Sequence, residues 1–350
     1  MKSMLLSRRA FVQGAALSLG VVAATTPSLI SAAEKQEMAP APQKTPVIGS
    51  ARVTGGKAAG SVAKVYFSPV IDAASLIRLY NLVNEGIYGK VAIKVHTGEP
   101  NGPNILPRDL VAALQKTIPD SAIVETNTLY EGGRYTTEDH RKTLEVNGWT
   151  FCPVDILDAE GDVSLPVRDG FHLQEVAMGK GITDYDSMLV LTHFKGHSSG
   201  GFGGSMKNIA IGCASGQVGK RQVHGTNMEG KPEFGNSAKK ELFMELMADS
   251  AKAVIDHFGK HITYINVLRN ISVDCDCAGT RAHAPSMKDI GILASNDLLA
   301  IDQAACDLVF AAPDSTDVIE RIQSRHGLRQ LSAMREKKMG NPQYELIVVS

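Results

Sequence analysis

The chain has 350 residues, a formal net charge of −1, 43% hydrophobic residues and 21% charged residues. That balance belongs to a globular protein with a sizeable core. A charge near zero excludes bulk nucleic-acid binding, which needs a basic surface, and an aromatic content of 5% gives no stacking platform for single strands.

The N-terminus reads as a targeting segment. Ser7-Arg8-Arg9-Ala10-Phe11-Val12 matches the twin-arginine export signal, the apolar stretch Ala15–Ala24 follows, and Ser31-Ala32-Ala33 offers small residues for cleavage. The expectation is a signal peptide over residues 1–33 and a mature chain that starts near Glu34. The twin-arginine translocase would then deliver it to the periplasm or another exported location. The apolar stretch falls short of the ~20 residues a membrane span needs, so no stable span is expected in the mature form. Residues 34–60, rich in Ala, Pro, Lys and Gly, read as a linker, which leaves 61–350 as one α/β domain.

Within that domain Val62–Phe67 is the first predicted strand. Asp72–Glu85 is an amphipathic helix with Asp72 as its N-cap. The strand Lys90–Val95 runs straight into His96-Thr97-Gly98-Glu99. Pro107–Thr117 is a helix with proline in its first turn, Ala122–Glu125 is a short strand, and Thr136–Asn147 is a helix closed by Gly148. Further on, Asp186–Leu191, Ile262–Leu268, Asp289–Ala294 and Tyr344–Val349 read as strands. Ala238–Phe258, Asp297–Phe310 and Ser315–Arg325 read as helices. The alternation implies an α/β fold: mostly parallel sheet or sheets covered by helices, in two Rossmann-like lobes that share a cleft. Ligands of such sheets sit at the carboxyl ends of the strands. The segments that follow strands, 96–101, 126–134 and 192–208, are all polar and glycine-bearing.

The stretch Thr192–Lys220 stands out, with two histidines, three lysines, one cysteine and eight glycines. Glycine permits positive φ and close approach of the backbone to a ligand. The stretch therefore reads as a shaped loop that presents His193, Lys195, His197, Lys207 and Cys213. It is not a phosphate loop, since it holds no G-K-S/T and Met206 replaces the third glycine of G-x-G-x-x-G. Nor is it a zinc-protease motif, since Phe194 stands where glutamate is needed.

There are five cysteines. Cys306 lies in an apolar helical pattern, and Cys152 sits beside Phe151 and Pro153, so both read as buried. In Asp274-Cys275-Asp276-Cys277 an extended backbone would put both thiols on one face, where they could meet one metal. The flanking aspartates would by themselves oppose thiolate formation, which a metal would reverse. A third ligand is expected from Cys213, and a fourth from His197, His224 or His283. Structural zinc wants four ligands and a cubane cluster takes four cysteines, so incomplete cysteine ligation points to an open, catalytic position. No C-x₂-C-x₂-C run is present.

Among the strand exits of the first half, His96 and Glu99 are candidate acids or bases. Lys195 and Lys207 are grouped with them as candidate catalytic residues that meet an anionic substrate. Arg134 offers a planar fork for a carboxylate, and Asn101, Tyr130 and His193 join it as candidate substrate-binding residues.

With these residues gathered, the chain resembles the domain-of-unknown-function 362 family, whose members often bind iron–sulfur clusters. The resemblance rests on VAIKVHTGEPNG, ETNTLYEGGRYTTEDHRKTLEVNGW, LTHFKGHSSGGFGGSMKNIAIGCASGQVGKRQVHG, VDCDCAG and DIGILASNDLLAIDQA, and runs from about Val62 to Val349. It implies an α/β fold and a metal or iron–sulfur association around Cys213, Cys275 and Cys277, but no particular reaction. The ferredoxin-type insert of some members is missing, because residues 225–238 contain no cysteine.

The expected function is an exported protein that binds an iron–sulfur cluster or another thiolate-bound metal, with zinc as the alternative. It would act as a redox or metal-dependent enzyme on a small anionic molecule, with a redox partner as a further expected partner. The competing readings are a non-catalytic exported binding or accessory protein, and a metal-free isomerase or racemase.

Overall fold

A computed structural model describes residues 2–6 and 62–349. Its centre is a nine-stranded sheet. In chain order its strands are β1 (Lys2–Leu6), β2 (Ala63–Ser68), β3 (Val91–Lys94), β4 (Ser121–Glu125), β5 (Val154–Ile156), β8 (Ser187–His193), β11 (Ile262–Leu268), β12 (Gly291–Ser295) and β13 (Tyr344–Val348). They lie side by side as β1-β13-β2-β12-β11-β8-β3-β4-β5. β12 runs antiparallel to both neighbours and β1 antiparallel to β13, while the other pairs are parallel. Two short hairpins lie outside the sheet: β6 (Asp162–Pro166) with β7 (Glu175–Gly179), and β9 (Lys195–His197) with β10 (Gly201–Gly203).

The expected α/β class and mostly parallel sheet are therefore present, and the two expected lobes are halves of one continuous sheet. The chain steps from β3 outward to β4 and β5, returns to β8 on the other side of β3, and moves on to β11. The order reverses between β3 and β8. In open α/β sheets that point opens a crevice at the strands' carboxyl ends.

Alternation along the strands explains why both faces are covered. In β8, Met188 and Val190 join one apolar cluster and Leu189 and Leu191 the other. Successive side chains on a strand point to opposite faces, so a strand buried on both sides reads as a continuous apolar run. On one face lie the helices α1 (Ala73–Asn81), α2 (Arg108–Gln115) and α3 (Thr137–Val146), which contribute Leu76, Leu79, Leu110, Leu114 and Leu144. The other face carries α4 (Ser205–Gly212), α5 (Gly219–His224), α6 (Lys240–Phe258) and α7 (Leu298–Ala311), followed by α8 (Thr316–Ser324) and α9 (Arg329–Glu336). Sequence-predicted caps hold where they were expected: Asp72 Oδ1 accepts from the Ser75 N–H at 2.7 Å.

The glycine-rich stretch departs most from expectation. It forms the end of β8, the β9–β10 hairpin, α4 and α5 rather than a long shaped loop. Two of its glycines are required by close packing. A Cβ on Gly196 would run into the Val273 carbonyl, and one on Gly212 into the Lys94 side chain. β1 falls within the segment read as an export leader. The remainder of that leader, with Arg8, Arg9 and the cleavage residues, and the linker over 34–60 lie outside the described residues. No helix among the described residues is long and apolar enough to cross a membrane.

Candidate functional site

A cavity of about 780 Å³, counted out to its mouth, lies at the carboxyl ends of β3, β4 and β8, at the point where the strand order reverses. Lys94, His96, Glu125 and Arg134 form one side of its wall. Lys195, His197, Cys275 and Cys277 form another, and Lys207, Lys220 and His224 are contributed by α4 and α5. Four segments far apart in sequence meet here because all of them leave the same edge of the sheet.

The first side is organised around Glu125, the last residue of β4. Its Oε1 lies 2.9 Å from Lys94 Nζ, and its Oε2 lies 3.1 Å from His96 Nδ1 and 3.4 Å from Arg134 Nη1. Burial alone would raise this carboxyl, but the neighbouring Lys94, His96 and Arg134 hold it well below the usual carboxylate range. Arg134 turns its fork to Glu99, with Nε and Nη2 at 2.9 and 2.7 Å from Oε1, and the Tyr130 hydroxyl donates to the same oxygen at 2.5 Å.

The second side is organised around Asp276. Its Oδ2 lies 2.9 Å from both His193 Nδ1 and Lys195 Nζ, and His193 Nε2 faces the Arg269 carbonyl at 2.7 Å. Burial opposes the charge on Asp276, but His193 and Lys195 outweigh it and the carboxyl stays ionised far below its ordinary range. Asp274 is likewise neutralised, by Arg321 at 3.1 Å and by a 2.5 Å contact with His283. The charges of the aspartates flanking the cysteines are thus compensated by cations and imidazoles, while Asp276 and the Cys275 thiolate still repel one another, as expected from sequence. The segment is not extended, because Asp276–Arg281 forms a 3₁₀ turn. Both sulfurs nevertheless reach one place. Cys275 is held well below the ordinary thiol range, chiefly by the Cys277 S–H, with Lys195, Lys207 and His96 assisting against burial. Cys277 is pushed correspondingly upward by the proton it shares, so the pair is a thiolate beside a thiol.

His197, Cys275 and Cys277 present ligand atoms within 4.8 Å of one another, a group that can hold a metal ion. Burial, assisted by Lys207, lowers His197 well below its ordinary value and keeps the ring neutral. Lys207 makes no hydrogen bond or ion pair among the described residues, although it lines the cavity.

Several expected site residues lie elsewhere or are already engaged. Cys213 is not in the ligand group. It follows α4, whose eight residues carry it roughly 12 Å from the helix start, and burial in the apolar core pushes its thiol up to about 12. His224 lines the cavity but is not a member of the group; its ring packs beside Phe243 and Phe234, Nδ1 donates to the Lys220 carbonyl at 2.7 Å, and burial lowers it to about 4. His193 has both nitrogens on oxygen acceptors and none left for substrate. Asn101 is an exposed turn residue at φ 57° whose N–H donates to Asn147 Oδ1. Glu99 stands behind Arg134, outside the cavity wall, and Arg134's fork is filled by it.

Three residues of the cavity wall were missed. Lys94 and Glu125 are charges inside otherwise apolar strand runs, a signal in itself because such residues are almost never buried unpaired. Lys220 is buried against Thr126 Oγ1 and the Asn127 and Ala214 carbonyls, and burial brings it down to about 8.

Residues 91–307 match the family described as Domain of unknown function (DUF362). The chain belongs to that family. Its cavity, built from β3, β4, β8 and the Cys275–Cys277 turn, falls wholly within the matched residues. Among solved structures, the lactate racemase apoprotein from Thermoanaerobacterium thermosaccharolyticum is similar at 15% identity and a TM-score of 0.42, over 70% of this chain and 56% of that one. A protein from Thermotoga maritima is similar at 13% identity and a TM-score of 0.34, over 57% of this chain and 51% of that one. This chain thus spans little more than half the length of either. No curated protein matches the sequence.

Proposed function

We propose that this DUF362 protein is metal-dependent: Cys275 and Cys277 hold a metal ion on the wall of the cavity, and a small anionic molecule enters to meet Lys207. The observation that carries this reading is the convergence of two thiols and an imidazole within 4.8 Å on that wall. The donor set fits a single thiolate-bound ion such as zinc or iron. It does not fit a four-cysteine cluster, because Cys213 and Cys306 lie in the apolar core and Cys152 packs against the opposite cluster. When bound, the ion supplies a Lewis-acidic or redox centre. The chain's own residues do the rest: Lys207 neutralises the incoming anion, Lys195 is fixed by Asp276, and the enclosing wall excludes water. Export by the twin-arginine translocase is part of the proposal, supported by the Ser7–Val12 signal; Arg8→Lys/Arg9→Lys should then leave the chain in the cytoplasm.

The test is cobalt uptake. Anaerobically prepared protein with Co²⁺ should show a sulfur-to-cobalt charge-transfer band at one ion per chain, lost in Cys275→Ser/Cys277→Ser. A folded wild type without the band overturns the reading. A metal-free acid–base isomerase is favoured by one observation, the Glu125–His96 pair aimed at the cavity. It requires solvent-proton exchange into substrate that survives Cys275→Ser.

A further inference from the structure

We infer that the small anion of this cavity is amphipathic: a single carboxylate group meets Lys207, and an apolar aryl or branched alkyl body lies along Ile211, Phe243 and Phe234. The inference rests on the anion reading proposed above and deepens it. Its basis is the juxtaposition of one unpaired ammonium with one aromatic cluster in the same wall.

The charge of the anion follows from the cations of the wall. Lys94 is paired with Glu125, Arg134 with Glu99 and Lys195 with Asp276. Lys220 donates to Thr126 Oγ1 and to the Asn127 and Ala214 carbonyls, which fills the three donors of an ammonium. Lys207 is left with no hydrogen bond or ion pair among the described residues. Its charge bears on the Cys275–Cys277 pair and on His224, so the ammonium stands within electrostatic reach of both the sulfurs and the aromatic cluster. A metal on the sulfurs takes up their negative charge and leaves this ammonium to the substrate. One open ammonium balances one negative charge, which suits a carboxylate better than a phosphate ester.

The apolar body follows from what surrounds that ammonium. Lys207 and Ile211 are four residues apart on α4, so they share a face, about 6 Å apart along the helix. Both line the cavity and both are only partly buried. Aromatic rings from α5, α6 and the segment between them continue the wall. The His224 ring tilts against Phe243 with centroids 5.3 Å apart and meets Phe234 edge-on at 6.0 Å. Phe243 is buried, but Phe234 is 41% exposed and is the one exposed residue of the cavity lining, which puts it at the mouth. A lone exposed phenylalanine is ordinary on a protein surface. This one is held in place by polar anchors. Ser237 Oγ donates to the Phe234 carbonyl at 2.8 Å, the Glu233 N–H donates to Asn227 Oδ1 at 2.9 Å, and Arg221 Nη1 donates to the Asn227 carbonyl at 2.8 Å. A ligand whose apolar part covers the Phe234 ring removes that surface from water and gains affinity without any further charge.

The test compares acetate with phenylacetate at neutral pH. Both carry one ionised carboxylate, so the ratio of their affinities isolates the apolar contact. Dissociation constants are measured by titration calorimetry and saturation-transfer NMR on full-length, zinc-loaded wild type, Phe234→Ala and Lys207→Met. Phenylacetate should bind the wild type at least about 10-fold more tightly than acetate. Phe234→Ala takes nothing from the core; it should cut that preference by about threefold or more and leave acetate within about twofold. Lys207→Met should weaken both acids by about 10-fold. Phenylethanol, which has the ring without the charge, should bind at least about 10-fold more weakly than phenylacetate. Equal affinities for the two acids, each dependent on Lys207, overturn the inference and leave the anion reading standing. So does a preference that Phe234→Ala leaves unchanged, or phenylethanol binding as tightly as phenylacetate. Binding of neither acid overturns the inference and the anion reading together.

Discussion

Asp276→Asn tests the buried charge network most directly. The wild-type carboxylate is 1% exposed and sits 2.9 Å from Lys195 Nζ and from His193 Nδ1. The amide keeps the shape and removes the charge, so Lys195, itself only 5% exposed, loses its 2.9 Å counter-ion and keeps only the weaker attraction of the Cys275 thiolate. Breaking a buried pair by neutralising one partner costs about 3–5 kcal/mol, because the remaining charge stays desolvated. At about 2.1 cal/mol/K per residue over a domain of roughly 290 residues, each kcal/mol corresponds to about 1.5–2 °C, so the melting temperature should fall by roughly 5–10 °C. The assay is thermal unfolding of chelator-treated protein, which separates the ion pair from any metal contribution. Lys195→Met alone should also destabilise. Asp276→Asn/Lys195→Met should be milder than the sum of the two, since neither charge is then stranded. A drop below about 2 °C, or strict additivity in the double variant, refutes the reasoning.

Cys275 should alkylate as a thiolate well below the ordinary thiol range, and Cys277→Ala should move its pH–rate inflection upward, since the Cys277 S–H is the largest contribution holding it down; mass spectrometry of iodoacetamide adducts reads both. Lys220 has a folded pKa of about 8, below the ~10.4 of an unfolded lysine, so the folded state loses its proton first. Stability should therefore rise with pH between about 8 and 10.4, by up to about 3 kcal/mol, and Lys220→Met should lack that rise in urea midpoints compared across the window. Gly212→Ala should cost about 1–3 kcal/mol, because its methyl meets the fully buried Lys94 side chain, whereas Gly235→Ala meets no atom within 4 Å and should stay within about 0.5 kcal/mol. Thermal unfolding of the two variants side by side decides it.

The sheet was legible where burial writes itself into local pattern. β8 and β11 are seven residues each, buried throughout and built around apolar residues such as Met188–Leu191, and their boundaries differ from the predicted strands by no more than two residues. α1 ends at Asn81, earlier than the helix predicted to run to Glu85. The hairpins and α4 were not legible, because Lys195–Lys207 carries glycine, histidine and lysine where strands and helices ordinarily carry aliphatic residues. What makes them regular is distant: Asp302 on α7 accepts from the Ser205 and Met206 N–H groups at 2.8 and 2.9 Å and so starts α4, nearly a hundred residues before it in the chain.

The site shows the same division between local type and distant partner. Cys275 and Cys277 were recognisable as a pair, because two thiols at that spacing have few structural reasons to exist. The cations at the strand exits were recognisable as candidates, but nothing local tells a free lysine from a paired one. Arg134 read as an open fork and is filled by Glu99; Lys195 read as free and is held by Asp276; Lys94 and Glu125, unremarked in the sequence, neutralise each other at 2.9 Å. Each of these charges is buried, and each therefore needed a partner from another segment. Lys207, only partly buried at the start of α4, makes no such pairing among the described residues. It is the ammonium a small anion would meet on entering the cavity, so Lys207→Met should weaken anion binding without the stability loss that follows from cutting any of the paired cations.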